Sequence, residues 1–108
     1  MHVPLQISAR DVPLSTADEE AITRAAETLE SYGDRITSCR VAVALPHRHH
    51  RKGIPYEVRV DVGLPKGHAV VTRQSDPSLA TAVQEAFSSA RRQVQDHMGG
   101  LREFSRDG

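Results

Sequence analysis

The stretch Tyr56-Glu57-Val58-Arg59-Val60-Asp61-Val62-Gly63-Leu64-Pro65-Lys66-Gly67-His68-Ala69-Val70-Val71-Thr72-Arg73 decides the fold. Tyr56, Val58, Val60, Val62 and Leu64 alternate with Glu57, Arg59 and Asp61. A two-residue period of this kind puts the apolar set on one face of a strand and the charges on the other. Pro65-Lys66-Gly67 reads as a short hairpin turn, since proline presets φ and glycine accepts φ > 0. His68 to Arg73 then form the returning strand.

Upstream of this hairpin, Cys39, Val41, Val43 and Leu45 alternate with Ser38, Arg40, Ala42 and Ala44, which predicts another strand over residues 36–45. At the N-terminus Val3, Leu5 and Ile7 alternate with Pro4, Gln6 and Ser8, and Pro4 marks a strand start or an edge. Between these two strands Ser15 or Thr16 can cap a helix whose first turn holds Asp18, Glu19 and Glu20, where the macrodipole favours anions. Ile22, Ala25, Ala26 and Leu29 fall on one face of it, and Gly33 ends it. Downstream, Asp76 reads as the N-cap of a second helix with Pro77 in its first turn. Leu79, Val83, Ala86, Phe87, Ala90 and Val94 draw its apolar stripe, and Gly99-Gly100 is the expected stop. The order β-α-β-β-β-α, with strands that are apolar on one face and two amphipathic helices, predicts an α+β two-layer sandwich whose helices cover the same face of a four-stranded sheet. Residues 1–98 are expected to form one domain and 99–108 a flexible C-terminal tail.

Composition narrows the function classes. The chain of 108 residues has 38% hydrophobic content, no Trp, two Phe and two Tyr, so its core is small, aliphatic and without room for a deep active site. Fourteen basic residues balance fourteen acidic ones, so any electrostatic role depends on local clustering. A single cysteine, Cys39, excludes an internal disulfide and fits a reducing compartment. The N-terminus has no signal-peptide pattern and no segment approaches a membrane span, so a cytoplasmic protein with no membrane partner is expected.

The strongest local cluster is Pro46-His47-Arg48-His49-His50-Arg51-Lys52-Gly53, between the second and third strands. Its three histidines suggest a metal, but Arg48, Arg51 and Lys52 would repel a cation and no Cys or carboxylate stands beside them. It reads instead as a cationic hairpin tip suited to phosphate. Arg91 and Arg92 form a second basic point, Arg92 opposite the apolar stripe of its helix and Arg91 at the flank, both reaching solvent. Arg24 faces outward on the first helix among Glu20, Glu27 and Glu30, which makes that helix net acidic. No nucleophile elbow, phosphate-binding glycine loop or carboxylate pair occurs, so no enzyme, cofactor or small-molecule substrate is expected. Asp61 and Glu57 lie on the polar sheet face beside Arg59, where cross-strand ion pairing is expected, and Cys39 reads as a core thiol. With Tyr56 on the apolar face, base stacking is not expected, and any RNA contact runs through charge and shape.

Four strings carry a resemblance: LESYGDRI at 29–36, PHRHHRKGIPYEVRVDV at 46–62, LPKGHAVV at 64–71 and DPSLATAVQEAFSSARRQVQDH at 76–97. In this order and spacing the chain resembles the HPF/RaiA family of ribosome hibernation factors, also called sigma-54 modulation or ribosomal subunit interface proteins. The resemblance implies the same β-α-β-β-β-α fold, similar to double-stranded RNA-binding domains. It also implies binding to ribosomal RNA of the small subunit, in the channel used by mRNA and tRNA, with translation blocked by occlusion and idle ribosomes preserved under stress. Arg24, Arg35 and Arg92 stand where the family commonly has a basic residue, and Arg91 adds a neighbouring charge. Thr28, Glu85 and Ser89 stand where many members have Lys, which thins the helical phosphate surface, so that either binding is weaker or Arg48, Arg51 and Lys52 supply the missing charge. Long members carry a further C-terminal domain that pairs ribosomes, and nothing here resembles it. A different class stays open: a protein-interaction adaptor on this fold, with weakened RNA contacts or weak self-association through a sheet edge.

Overall fold

The computed structural model describes residues 4–32, 35–45 and 55–107, with the side chains of Tyr32 and of 98–107 outside that set. The chain runs β1 (Leu5–Arg10), α1 (Thr16–Tyr32), β2 (Ser38–Ala44), β3 (Tyr56–Gly63), a single 3-10 turn (Pro65–Gly67), β4 (Ala69–Asp76) and α2 (Leu79–Asp107). The strands form one sheet in the order β1-β2-β3-β4. The crossover through α1 makes β1 parallel to β2, and the two later pairings are antiparallel.

Register aligns the apolar phases of all four strands. Val41 faces Ile7 on one side and Val60 on the other, and Val60 in turn faces Thr72. Cys39, Val41, Val43, Val58, Val60, Val62 and Val70 therefore share one face, which the helices bury with Ile22, Ala26 and Leu29 from α1 and Val83, Ala86, Phe87, Ala90 and Val94 from α2. α2 lies over β3 and β4, and α1 packs beside α2 with its other contact on β1. The α+β two-layer sandwich expected from periodicity is the observed architecture. Thr72 is the buried polar residue of this layer, and its hydroxyl donates to the Ala86 carbonyl at 2.9 Å, which satisfies it and pins α2 to β4.

The helix starts follow local chemistry. Ser15 Oγ accepts from the Asp18 N–H at 3.0 Å while Asp18 Oδ2 accepts from the Ser15 N–H at 3.0 Å, a reciprocal capping box. At the second helix the structure corrects the expectation. β4 runs on to Asp76, which still pairs with Tyr56, so Asp76 cannot cap. Its carboxylate accepts from the Ser78 N–H at 2.7 Å, and Ser78 caps α2 through the Thr81 N–H at 3.3 Å. Pro77 thus precedes the helix. Gly99-Gly100, expected to stop α2, lie inside it, since the helix continues to Asp107. Glycine costs about 1 kcal/mol in a helix interior but terminates one only where the chain turns left-handed.

The hairpin between β3 and β4 closes through Leu64 N–H to the His68 carbonyl at 2.8 Å. Gly67 takes φ +76° as expected, but Lys66 is also left-handed at φ 65°. The loop holding Arg48, Arg51 and Lys52 lies outside the described residues.

Candidate nucleic-acid interface

Of the expected basic residues that the structure describes, Arg24, Arg91 and Arg92 lie on the helices. Arg24 is exposed on α1 beside Glu19 and Glu20, and Thr28 follows one turn later on the same stripe. Arg35 is exposed in the turn leading into β2. Arg92 is exposed on α2, as its helical angle predicts. Arg91 differs: it is half-buried, lining a crevice between α1 and α2 with Thr28, Leu29, Phe87 and Ser88. Packing of α1 alongside α2 covers the flank that would otherwise be open to solvent. Thr28 and Arg91 thus come together, while Arg24, Arg35 and Arg92 are spread over the layer.

The positions that depart from the family pattern have distinct settings. Glu85 is exposed on α2. Ser89 is half-buried and its Oγ accepts from Gln74 Nε2 at 3.3 Å, so this position helps dock α2 onto β4 instead of presenting charge. Among the described residues the exposed helical surface carries Glu19, Glu20, Glu27, Glu85 and Asp96 against Arg24 and Arg92. The helical layer is therefore acidic on balance.

The opposite surface is the outer face of the sheet, and it holds residues the sequence reading missed. Register sets them in rows across the four strands: Gln6, Arg40, Asp61 and Val71; then Ser8, Ala42, Arg59 and Arg73; then Arg10, Ala44, Glu57 and Ser75. Arg10, Arg40, Arg59 and Arg73 are all exposed. Arg59 pairs with Asp61 on its own strand at 3.5 Å, where cross-strand pairing was expected, and it stands directly opposite Arg73. The small side chains of Ser8, Ala42 and Ala44 leave an open groove along the sheet, walled by Arg10, Arg59 and Arg73. The signal was present as single arginines at the polar phase of each strand, but only register makes them neighbours.

Other chemistry is sparse. Cys39 is buried on the apolar face, and its burial, with a smaller contribution from the Asp61 charge, pushes its thiol up from 9.0 to about 11. It is a core side chain and not a nucleophile at neutral pH. The rings of His68 and His97 meet at 5.1 Å, joining the end of the hairpin to α2. Among the described residues no group of three or more His, Cys, Asp or Glu is placed to hold a metal, and no helix is long and apolar enough to cross a membrane.

Comparison with known proteins places this geometry in context. The family described as sigma 54 modulation protein / S30EA ribosomal protein matches residues 5–102. The fold is similar to the crystal structure of the Thermus thermophilus Protein Y N-terminal domain, with a TM-score of 0.72 at 19% identity over 90% of this chain and 99% of that one. It is also similar to the structure of a ribosomal subunit interface protein from Coxiella burnetii, with a TM-score of 0.75 at 15% identity and the same coverage of both chains. No curated protein matches the chain by sequence.

Proposed function

Because the chain belongs to the sigma 54 modulation protein / S30EA ribosomal protein family, we propose that it is a ribosome-associated translation inhibitor that occupies the small subunit and preserves idle ribosomes under stress. The observation that carries this reading is the family match over residues 5–102. It binds ribosomal RNA in the channel used by mRNA and tRNA, and it acts by occlusion without a chemical step. Backbone charge, not base stacking, supplies the affinity, since Tyr56 belongs to the inner face of the sheet. Arg24, Arg35, Arg48, Arg51, Lys52, Arg91 and Arg92 are the proposed contacts. The protein works in the cytoplasm, needs no cofactor and meets no membrane.

Sedimentation of ribosomes from starved cells tests the reading. The protein is expected to travel with small subunits or whole ribosomes at low salt and to be released at high salt, because phosphate contacts displace counterions. Arg24→Gln with Arg92→Gln, both exposed, is expected to weaken association several-fold. A protein that stays at the top of the gradient at every salt concentration sinks the idea. The acidic helical layer favours a second reading, an adaptor that binds other proteins, and a pull-down that is dominated by proteins and insensitive to nuclease would establish it.

A further inference from the structure

Among the described residues the outer face of the sheet carries more exposed arginines than the helices do. Its outer face presents Arg10, Arg40, Arg59 and Arg73 against Glu57 and Asp61, and Asp61 is already engaged by Arg59 at 3.5 Å. Arg59 and Arg73 stand as direct cross-strand partners, an arrangement that disfavours the sheet because like charges oppose each other. Among the described residues Arg73 has no carboxylate partner to relieve it. A polyanion lying along the sheet would turn this repulsion into a shared contact, since guanidinium forks match phosphate oxygens.

The groove that Arg10, Arg59 and Arg73 line together with Glu57 has a volume of about 660 Å³ and lies open on the sheet surface, so it suits a polymer backbone better than an enclosed small molecule. Its floor is Ser8, Ala42 and Ala44, which let a backbone approach the sheet closely. Among the described residues the one exposed large hydrophobic on this face is Val71, on an edge strand, so the face offers little of the apolar core that protein interfaces bury. We propose that the open sheet face is an RNA-backbone contact surface held by Arg10, Arg40, Arg59 and Arg73, and that it supplies a larger share of binding than the helical arginines. The proposal rests on the ribosomal reading only for which RNA is bound.

The test measures equilibrium binding of the full chain to purified small ribosomal subunits and, separately, to a synthetic RNA duplex of roughly 16 base pairs, each across a series of KCl concentrations. R40Q/R73Q is compared with R40K/R73K and with R24Q/R92Q, and thermal unfolding confirms that each variant is folded. R40Q/R73Q is expected to lower affinity for both probes at least tenfold and to flatten the log–log salt dependence by about 1.5, the equivalent of two phosphate contacts. R40K/R73K should keep most of the salt dependence, and R24Q/R92Q should lose less affinity than the sheet variant. Wild-type binding and salt dependence in R40Q/R73Q overturn the proposal and leave the ribosomal reading standing. Sheet-dependent binding to the duplex without binding to subunits overturns the ribosomal reading and supports the proposal. Sheet-dependent binding to subunits without any affinity for the duplex assigns the face to an acidic protein segment and overturns it. Binding to neither probe overturns both.

Discussion

Cys39 and Lys66 show what single residues contribute beyond their pattern. The Cys39 thiol is raised from 9.0 to about 11 in the folded chain, so folding favours its neutral form. That stability is complete below about pH 9 and is lost as pH rises towards 11, because the unfolded chain releases the proton first. The loss is on the order of 2 kcal/mol. Urea unfolding at pH 8 and 10.5 should show it, and Cys39→Val should remove the alkaline loss assigned to this group. Lys66 has a left-handed backbone at φ 65°, a conformation that costs a residue with a Cβ about 1–2 kcal/mol. Gly63 answers a different need: a Cβ there would run into Ser38 Oγ and lie 2.8 Å from Thr37 Oγ1. What crowds this position is the pair of side-chain hydroxyls of Ser38 and Thr37, not a left-handed φ.

At the scale of the element, periodicity located each strand and helix, while the boundaries followed hydrogen bonds that the pattern alone does not contain. β4 extends three residues past Arg73, to Asp76, because β3 offers Val58, Glu57 and Tyr56 as pairing partners there. That extension moves the cap of α2 from Asp76 to Ser78. Ser78→Ala is therefore expected to cost about 1 kcal/mol in chemical unfolding by leaving the Thr81 N–H uncapped. If Asp76 were the cap, Asp76→Ala would be the costlier of the two. Helix α2, about 44 Å long at 1.5 Å per residue, outruns the strands beneath it, which at eight residues reach about 27 Å. Its apolar stripe was legible because Val83, Ala86, Phe87, Ala90 and Val94 keep helical spacing. Arg91 was misplaced because its burial depends on α1, a neighbour that no spacing within α2 reveals.

For the whole molecule, charge is sorted by layer. Among the described residues the helical surface is acidic on balance and the outer sheet face is basic, although the chain as a whole has no formal net charge at pH 7. The two faces lie on opposite sides of the sandwich and share no residue, so their contributions to binding should be nearly independent. Combining R40Q/R73Q with R24Q/R92Q is expected to give the sum of the two separate losses to within about 0.5 kcal/mol, measured on small subunits. A marked departure from additivity would mean that both faces share one contact. The sequence by itself determined the element order and the inward face of each strand and helix, and it narrowed the first helix cap to Ser15 or Thr16, because a two-residue period, a 3.6-residue period and a capping hydroxyl are local properties. Tertiary structure alone decided which polar residues become neighbours. Arg10, Arg40, Arg59 and Arg73 come from four strands scattered over more than half of the chain, and strand pairing brings them onto one face. Register arises from the collective fit of the core, and a slip of one residue would turn every one of these side chains to the other side.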